Sequence, residues 1–369
     1  MAKIINVIQC ANLGGMEKAS LRLMIALQNR GHTFELISLN PIADLGPLLK
    51  EAGIPAHGLD YSQTNQVSTM LKLRRILSTI KADALILTGH NLIASIGIWG
   101  VGPKSRIMAM HYHHEGVMPS WRWRLIYRVA NRQFQKITYP SDYVRKEAEM
   151  LFPAISPRAL TVRNPLSKEA AASPIDIADF KRQHSIPENA PLIGNAGWLI
   201  SRKRFDVFLR TAALIHAALP DVQFVIAGDG EERNNLEKLA ANLGIAECTH
   251  FTGRLSNLCP FYSAIDVLLF NSDWDAYPTT PIEAMSYGVP VVASLLHGGL
   301  GEILDEQSGW ILCNHDERVL AEYVLEALGP TGEVRGKIGR DKVLLDSAPD
   351  QIASIIEKQL MEVPNANPI

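Results

Sequence analysis

Twice along this chain, short β-rich runs alternate with helix-period runs, a pattern that folds around parallel sheets of βαβ units. The first series runs through 4–8, 19–28, 34–39, 84–87 and 106–110, and stops at Asn164-Pro165, just before the small, helix-breaking stretch Ala170-Ala171-Ala172-Ser173-Pro174. The second runs through 192–196, 205–218, 222–227, 234–242, 267–270, 281–287 and 289–293. The expected fold class is therefore α/β, with two Rossmann-like doubly wound domains over 1–166 and 167–345, and with 346–369 forming a C-terminal helix that packs back toward the first domain. Sheets of this kind bind ligands at the carboxyl ends of their strands, so two of them facing across a cleft are expected to enclose a large substrate pair. A chain of 369 residues has the length for two cores of ordinary size.

Charge and cysteine usage narrow the function classes. The 36 lysines and arginines nearly balance the 38 acids, which leaves no net field for holding nucleic acid. Cys10, Cys248, Cys259 and Cys313 form no Cys-x-x-Cys pair, arguing against a disulfide framework or zinc knuckle and for a reducing, cytoplasmic setting. The opening run Met1 to Ile8 leads into Gly14-Gly15 instead of a cleavage site, so it reads as a first strand, and no apolar stretch is long enough to span a bilayer.

Several segments carry chemistry. In the segment from Asp275 to Pro290, Thr280 suits an N-cap, Pro281 the first helical position, Glu283 the third, and Gly288 a left-handed end. Read alone, Thr280 and Glu283 make a capping box; read in place, they put free helix amides beside the strand ends. Gly14 and Gly15, between strand and helix, let a diphosphate approach bare amides at the positive end of the helix, or simply make a tight turn. Gly228-Asp229-Gly230 lacks dinucleotide spacing and reads as a nucleotide-side loop. His111-Tyr112-His113-His114-Glu115 follows a strand, and its His-x-His beside a carboxylate admits a zinc or iron reading. Arg124, Arg128, Arg132 and Lys136 recur every four residues among Trp121, Trp123 and Tyr127, predicting a basic, aromatic helix over 121–136 that either meets an anionic membrane surface or is simply solvated.

The order of motifs resembles the large family 4 of retaining glycosyltransferases. Asp275 and Glu283 are separated by seven residues and followed by Ala284-Met285 and Gly288-Val289-Pro290, as in that family. The likeness continues through Ala227-Gly228-Asp229-Gly230-Glu231, Phe251-Thr252-Gly253-Arg254, Ser263-Ala264-Ile265-Asp266 and Gly298-Gly299-Leu300-Gly301-Glu302, and in the first half through Gly14-Gly15-Met16-Glu17 and Arg30-Gly31-His32. Gly197-Trp198 with Lys203 resembles the family's Gly-Arg segment and the lysine that follows it by five residues.

That resemblance implies a GT-B architecture and a metal-independent, retaining transfer of sugar from a UDP- or GDP-linked nucleotide sugar to an acceptor hydroxyl. No cofactor beyond the nucleotide sugar is implied. The acceptor would be a glycan or lipid-linked glycan at the inner face of the membrane, in polysaccharide or lipid-linked glycan assembly. His111, with His113 as its rival, would reach the donor sugar; Lys203 would neutralise the leaving diphosphate, and Asp275 would hold sugar hydroxyls. Glu283 would accept from the ribose, Arg254 would lie near the base, and the amides of Gly14, Gly15, Thr279 and Thr280 would face phosphates. Two departures stand out. Trp198 occupies the place of an arginine, leaving Arg202 or Arg204 to supply that cation, and Asp275 is a methylene shorter than the usual glutamate. Asp273-Trp274-Asp275 also spells a metal-binding Asp-x-Asp pattern of a different fold, which the neighbouring motifs do not favour. Rival readings are a nucleotide-sugar epimerase, an inactive nucleotide-sugar-binding protein and, more remotely, a nicotinamide-dependent dehydrogenase.

Overall fold

The computed structural model describes residues 1–12, 14–62, 64–111, 118–166 and 170–362. Among them, seven parallel strands form the first sheet: β1 (Lys3–Ile8), β2 (Thr33–Ser38), β3 (Ala56–Gly58), β4 (Ala84–Thr88), β5 (Ser105–Ala109), β6 (Lys136–Tyr139) and β7 (Ala159–Thr161), in the order β3-β2-β1-β4-β5-β6-β7. Six more form the second: β8 (Leu192–Ala196), β9 (Gln223–Ala227), β10 (Thr249–Gly253), β11 (Val267–Asp275), β12 (Val291–Gly298) and β13 (Trp310–Leu312), in the order β10-β9-β8-β11-β12-β13. Each order reverses once, between β1 and β4 and between β8 and β11, and such reversal points are where doubly wound sheets open a crevice for ligands.

The strands lack polar alternation because helices cover both sheet faces. β1 is buried from Ile4 to Ile8, and its one polar member, Asn6, is satisfied by donating to Ser20 Oγ at 2.7 Å and accepting from Thr88 Oγ1 at 2.8 Å. That pair of bonds pins the helix Gly15–Asn29 and β4 to the central strand. Around the second sheet, Ile193, Phe224 and Leu269 of the strands and Phe208 and Val324 of the helices Phe205–Ala218 and Glu317–Ala327 belong to one buried cluster.

The chain divides into two compact units, Met1–Ser167 together with Ser347–Ile369, and Lys168–Asp346. The helix Pro349–Met361 belongs to the first: Ala353, Ile356 and Leu360 share a buried cluster with Met24 and Leu27. Burying a large aliphatic side chain contributes roughly 1.5–3 kcal/mol, so Ile356 and Leu360 outweigh the surface ion pairs beside them. Those pairs join Arg30 to Asp350 and Glu357, both at 2.7 Å, and His32 to Glu357 at 2.9 Å.

Three sequence expectations change. The strand expected over 267–270 continues to Asp275, and the one expected to begin at Val289 runs instead from Val291 to Gly298, because β11 and β12 stay paired as far as Asp275 opposite Gly298. The basic ridge loses Lys136: the helix is Ser120–Gln133, and the buried, extended Phe134 turns the chain so that Lys136 opens β6. The aromatic content of that helix divides as well, since Trp123 and Tyr127 are core residues while Trp121 lies outside among Arg122, Arg124, Leu125, Arg128 and Arg132.

Candidate active site

At the reversal point of the second sheet, the turn after β8 is fastened residue by residue to the end of β11. The 3-10 turn Ser201–Lys203 presents Arg202, whose Nη1 donates to the carbonyl oxygen of Trp274, and Lys203, whose Nζ is ion-paired with Asp275 Oδ2. Arg204 follows, and its Nη1 donates to Asp273 Oδ1 at 3.0 Å. Asp273 and Asp275 can do this together because alternate residues of a strand share a face, and the extension of β11 keeps that alternation through Asp275.

Arg204 holds this junction in an unusual backbone state, φ 47° and ψ 42°, which costs a side-chain-bearing residue roughly 1–2 kcal/mol. Its guanidinium, bonded to Asp206 at 3.0 and 3.1 Å as well as to Asp273, offsets that cost and is held firmly cationic, by Asp206 first and Asp273 after it. Of the two substitutes for the arginine that Trp198 displaces, Arg204 is thus already engaged by two carboxylates. Arg202 stands 4.0 Å from Asp275 Oδ2 and over the Trp274 ring. Lys203 Nζ also lies over the Phe270 ring, 5.4 Å from its centroid, and both members of the Lys203–Asp275 pair are mostly buried.

The helix after β11 starts two residues earlier than its sequence suggests. It spans Thr279–Ser286, with Pro278 at the N-cap, so Thr280 is not the cap and makes no capping box with Glu283. Both side chains have other partners: Thr280 Oγ1 donates to the carbonyl oxygen of Ala196, the last residue of β8, at 2.9 Å, and Glu283 Oε2 accepts from Tyr262 Oη at 3.0 Å. Without a side-chain cap, the first amides of this helix keep the positive end of the dipole available beside Lys203 and Asp275. Gly288, at φ +81°, ends the helix.

Arg254, after β10, lies apart from this cluster and stacks over the exposed Trp198 ring at 5.0 Å. The loops carrying the two are zipped through the second sheet's glycine turn: Leu199 N donates to the carbonyl of Asp229, and Gly228 N to that of Gly253.

In the first unit, Gly14 is the N-cap of the helix beginning at Gly15. The carboxylate of the buried Glu17 folds back on Gly14, where a Cβ would fall 2.4 Å from Oε2 and oblige the carboxylate to shift, and Cys10 Sγ donates to Glu17 Oε1 at 3.1 Å. His111 follows β5 and lines a cavity of about 40 Å³ with Ser20, Thr88, Thr138 and Asn164. Burial, and after it the neighbouring His90, lowers its pKa to about 4, so the ring is neutral at pH 7. His113 and Glu115, the remaining members of the metal reading, lie outside the described residues. Among the described residues, no three His, Cys, Asp or Glu side chains converge as a metal ligand set, and no helix is long and apolar enough to cross a membrane.

Sequence reasoning missed Tyr262, His315 and the role of Asp273, and it offered Arg204 only as a stand-in cation, without its bonds to Asp206 and Asp273. The Asp-x-Asp spacing was the available signal for Asp273, once the strand is seen to continue beneath it.

Two family models match the chain, Glycosyltransferase Family 4 over residues 13–165 and Glycosyl transferases group 1 over residues 176–339. An uncharacterized glycosyltransferase of Haemophilus influenzae is 23% identical over 84% of this chain and 85% of its own. A GalNAc-alpha-(1->4)-GalNAc-alpha-(1->3)-diNAcBac-PP-undecaprenol alpha-1,4-N-acetyl-D-galactosaminyltransferase of Campylobacter jejuni is 24% identical over 88% of each chain. Among solved structures, HepE of Anabaena in complex with UDP and glucose is similar with a TM-score of 0.85 and 17% identity, over 98% of this chain and 100% of that one. At such identity the likeness is one of fold.

Proposed function

The chain belongs to the group 1 and family 4 glycosyltransferases and has their GT-B fold, and from that premise we propose that it transfers a sugar from a UDP- or GDP-linked donor to an acceptor hydroxyl, with retention of anomeric configuration and without a metal ion. The observation that carries this reading is the Lys203–Asp275 pair at the reversal point of the second sheet, beside the uncapped Thr279–Ser286 helix. When the anomeric bond breaks, negative charge gathers on the departing diphosphate, and cations and amide dipoles already aimed at it stabilise that state. An ammonium has three donors, so Lys203 can hold Asp275 and still meet a phosphate oxygen. Asp275 keeps Oδ1 for a sugar hydroxyl, Glu283 accepts from the ribose in an orientation set by Tyr262, and Arg254 lies toward the base. In this reading His111, as a neutral ring, hydrogen-bonds the donor sugar, and the Gly14-Gly15 turn approaches the phosphates. The acceptor hydroxyl attacks from the face the diphosphate leaves, which takes up its proton.

HepE, solved with UDP, supports a UDP-type donor, and the undecaprenol-linked substrate in the Campylobacter protein's name supports a lipid-linked acceptor. Thermal unfolding with UDP, GDP and ADP, each with magnesium or EDTA, tests the donor site, since a ligand at a hundred times its Kd adds about 2.7 kcal/mol. A shift with UDP or GDP that survives EDTA, followed by sugar transfer with the matching donor, is expected. A shift that requires magnesium, or tight binding without transfer or hydrolysis, overturns the reading; in the second case the inactive binder takes its place.

For a lipid-linked acceptor, the outer face of the Ser120–Gln133 helix offers Trp121 and Leu125 for the membrane interface and Arg122, Arg124, Arg128 and Arg132 for anionic headgroups at the cytoplasmic surface. Each arginine near such a surface contributes about 1 kcal/mol. The Arg124→Glu/Arg128→Glu variant is therefore expected to lose at least about tenfold in sedimentation with phosphatidylglycerol vesicles at low salt. Equal binding by the variant and the parent would remove the membrane role of this helix.

A further inference from the structure

Behind Asp273 lies a relay that the transfer chemistry does not use. His315 Nε2 is 3.0 Å from Asp273 Oδ1, His315 Nδ1 is 2.6 Å from Ser294 Oγ, and Asn271 Nδ2 donates to Ser294 Oγ at 2.9 Å. The link to Asp273 requires a proton on Nε2, which donates to the carboxylate, while Nδ1 is hydrogen-bonded with the Ser294 hydroxyl. The geometry follows from the sheet. Asn271, Asp273 and Asp275 are alternate residues of one strand face, Ser294 is the register partner of Asn271 on β12, and His315 reaches over from the segment after β13, just before the helix capped by Asp316.

Serine, histidine and aspartate in this order also make up a hydrolase triad, but Ser294 and Asn271 are fully buried, so no substrate can reach the hydroxyl. The exposed end of the relay is Asp273, whose Oδ1 also accepts from Arg204, the residue that follows Lys203 in the turn. We propose that His315 is a positioning residue for sugar transfer: by fixing Asp273 from behind, with its ring set by Ser294, it holds the Arg202–Arg204 turn and the end of β11 in the register that places Lys203 against Asp275. The inference rests on the reading of Lys203 and Asp275 as the transfer centre.

The test compares His315→Leu, His315→Gln and Ser294→Ala in the whole protein, by steady-state transfer kinetics and thermal unfolding, with Lys203→Met as a reference. Displacing a reacting group by about an ångström can cost about a hundredfold in rate. Loss of the Nε2 donor in His315→Leu is expected to lower kcat about tenfold or more, with the donor KM within about threefold of the parent. Glutamine, which can offer an amide N–H to Asp273, is expected to restore most of that rate, and Ser294→Ala to lower kcat by a smaller factor. A purely structural residue would instead lower the unfolding temperature and leave kcat per folded molecule unchanged, and that result overturns the proposal. So does equal impairment of the leucine and glutamine variants. Should His315→Leu fail to fold, the nearly isosteric Ser294→Ala decides, and parental kcat in that variant overturns the proposal. If Lys203→Met leaves transfer intact, it is the transfer centre that has been misassigned; if Lys203→Met is inactive while His315→Leu is not, only the positioning role falls.

Discussion

Replacing Lys203 with methionine is expected to lower the transfer rate about 10²–10³-fold, the loss typical of removing one preorganised group that meets developing negative charge. Methionine keeps an unbranched apolar stem and removes the ammonium, and with it the cation–π contact of Nζ with the Phe270 ring. Two consequences of that loss act together. The departing diphosphate meets one cation fewer, and Asp275, with its side chain only 15% exposed, is left with Arg202 at 4.0 Å as its nearest cation. A carboxylate without its close partner repels the phosphate that Lys203 would have attracted. Initial rates with saturating donor check this, and a rate within about threefold of the parent would remove Lys203 from the transfer step.

The second large effect is on stability, at a position without a side chain. Gly298 ends β12 opposite Asp275 with φ +146°, and a Cβ there would fall 1.9 Å from the Asp275 carbonyl oxygen. Both the backbone angle and the contact are closed to alanine, so Gly298→Ala must push the ends of β11 and β12 apart. A destabilisation of about 3 kcal/mol or more is expected, the range of core strain and overpacking. For a unit of this size that is a fall of about 6–12 °C in its unfolding transition. Gly301→Ala is the control, because a Cβ at Gly301 meets nothing within 4 Å. Calorimetry of the whole chain should rank parent and control together and Gly298→Ala well below them; if all three coincide, the close approach of Gly298 to Asp275 is not present in solution.

What was legible in the sequence follows the physics of each signal. The parallel sheets showed because strands buried on both faces carry long β-branched runs, as β1 and β9 do. Edge strands such as β3 and β13, three residues each, hold too few residues to form a pattern. The glycine turns and the Asp275/Glu283 spacing were readable because they are local. What Thr280 and Glu283 do was less so: both suit a capping box, yet Thr280 binds Ala196 and Glu283 binds Tyr262, partners 84 and 21 residues away. His315 is 42 residues from Asp273, and no spacing rule links them. Lys136 kept the four-residue period but lost the helix, because the burial of Phe134 overrode periodicity.

The helix Pro349–Met361 also sets an order of assembly. The second unit lies wholly inside the sequence of the first, so on a ribosome its last residue, Asp346, emerges while the first unit still lacks Ile356 and Leu360. The half of the protein that is translated first is the half completed last. A chain released just before Pro349 would leave the second unit whole and expose an apolar furrow along the helix Gly15–Asn29 at the opposite end of the sequence.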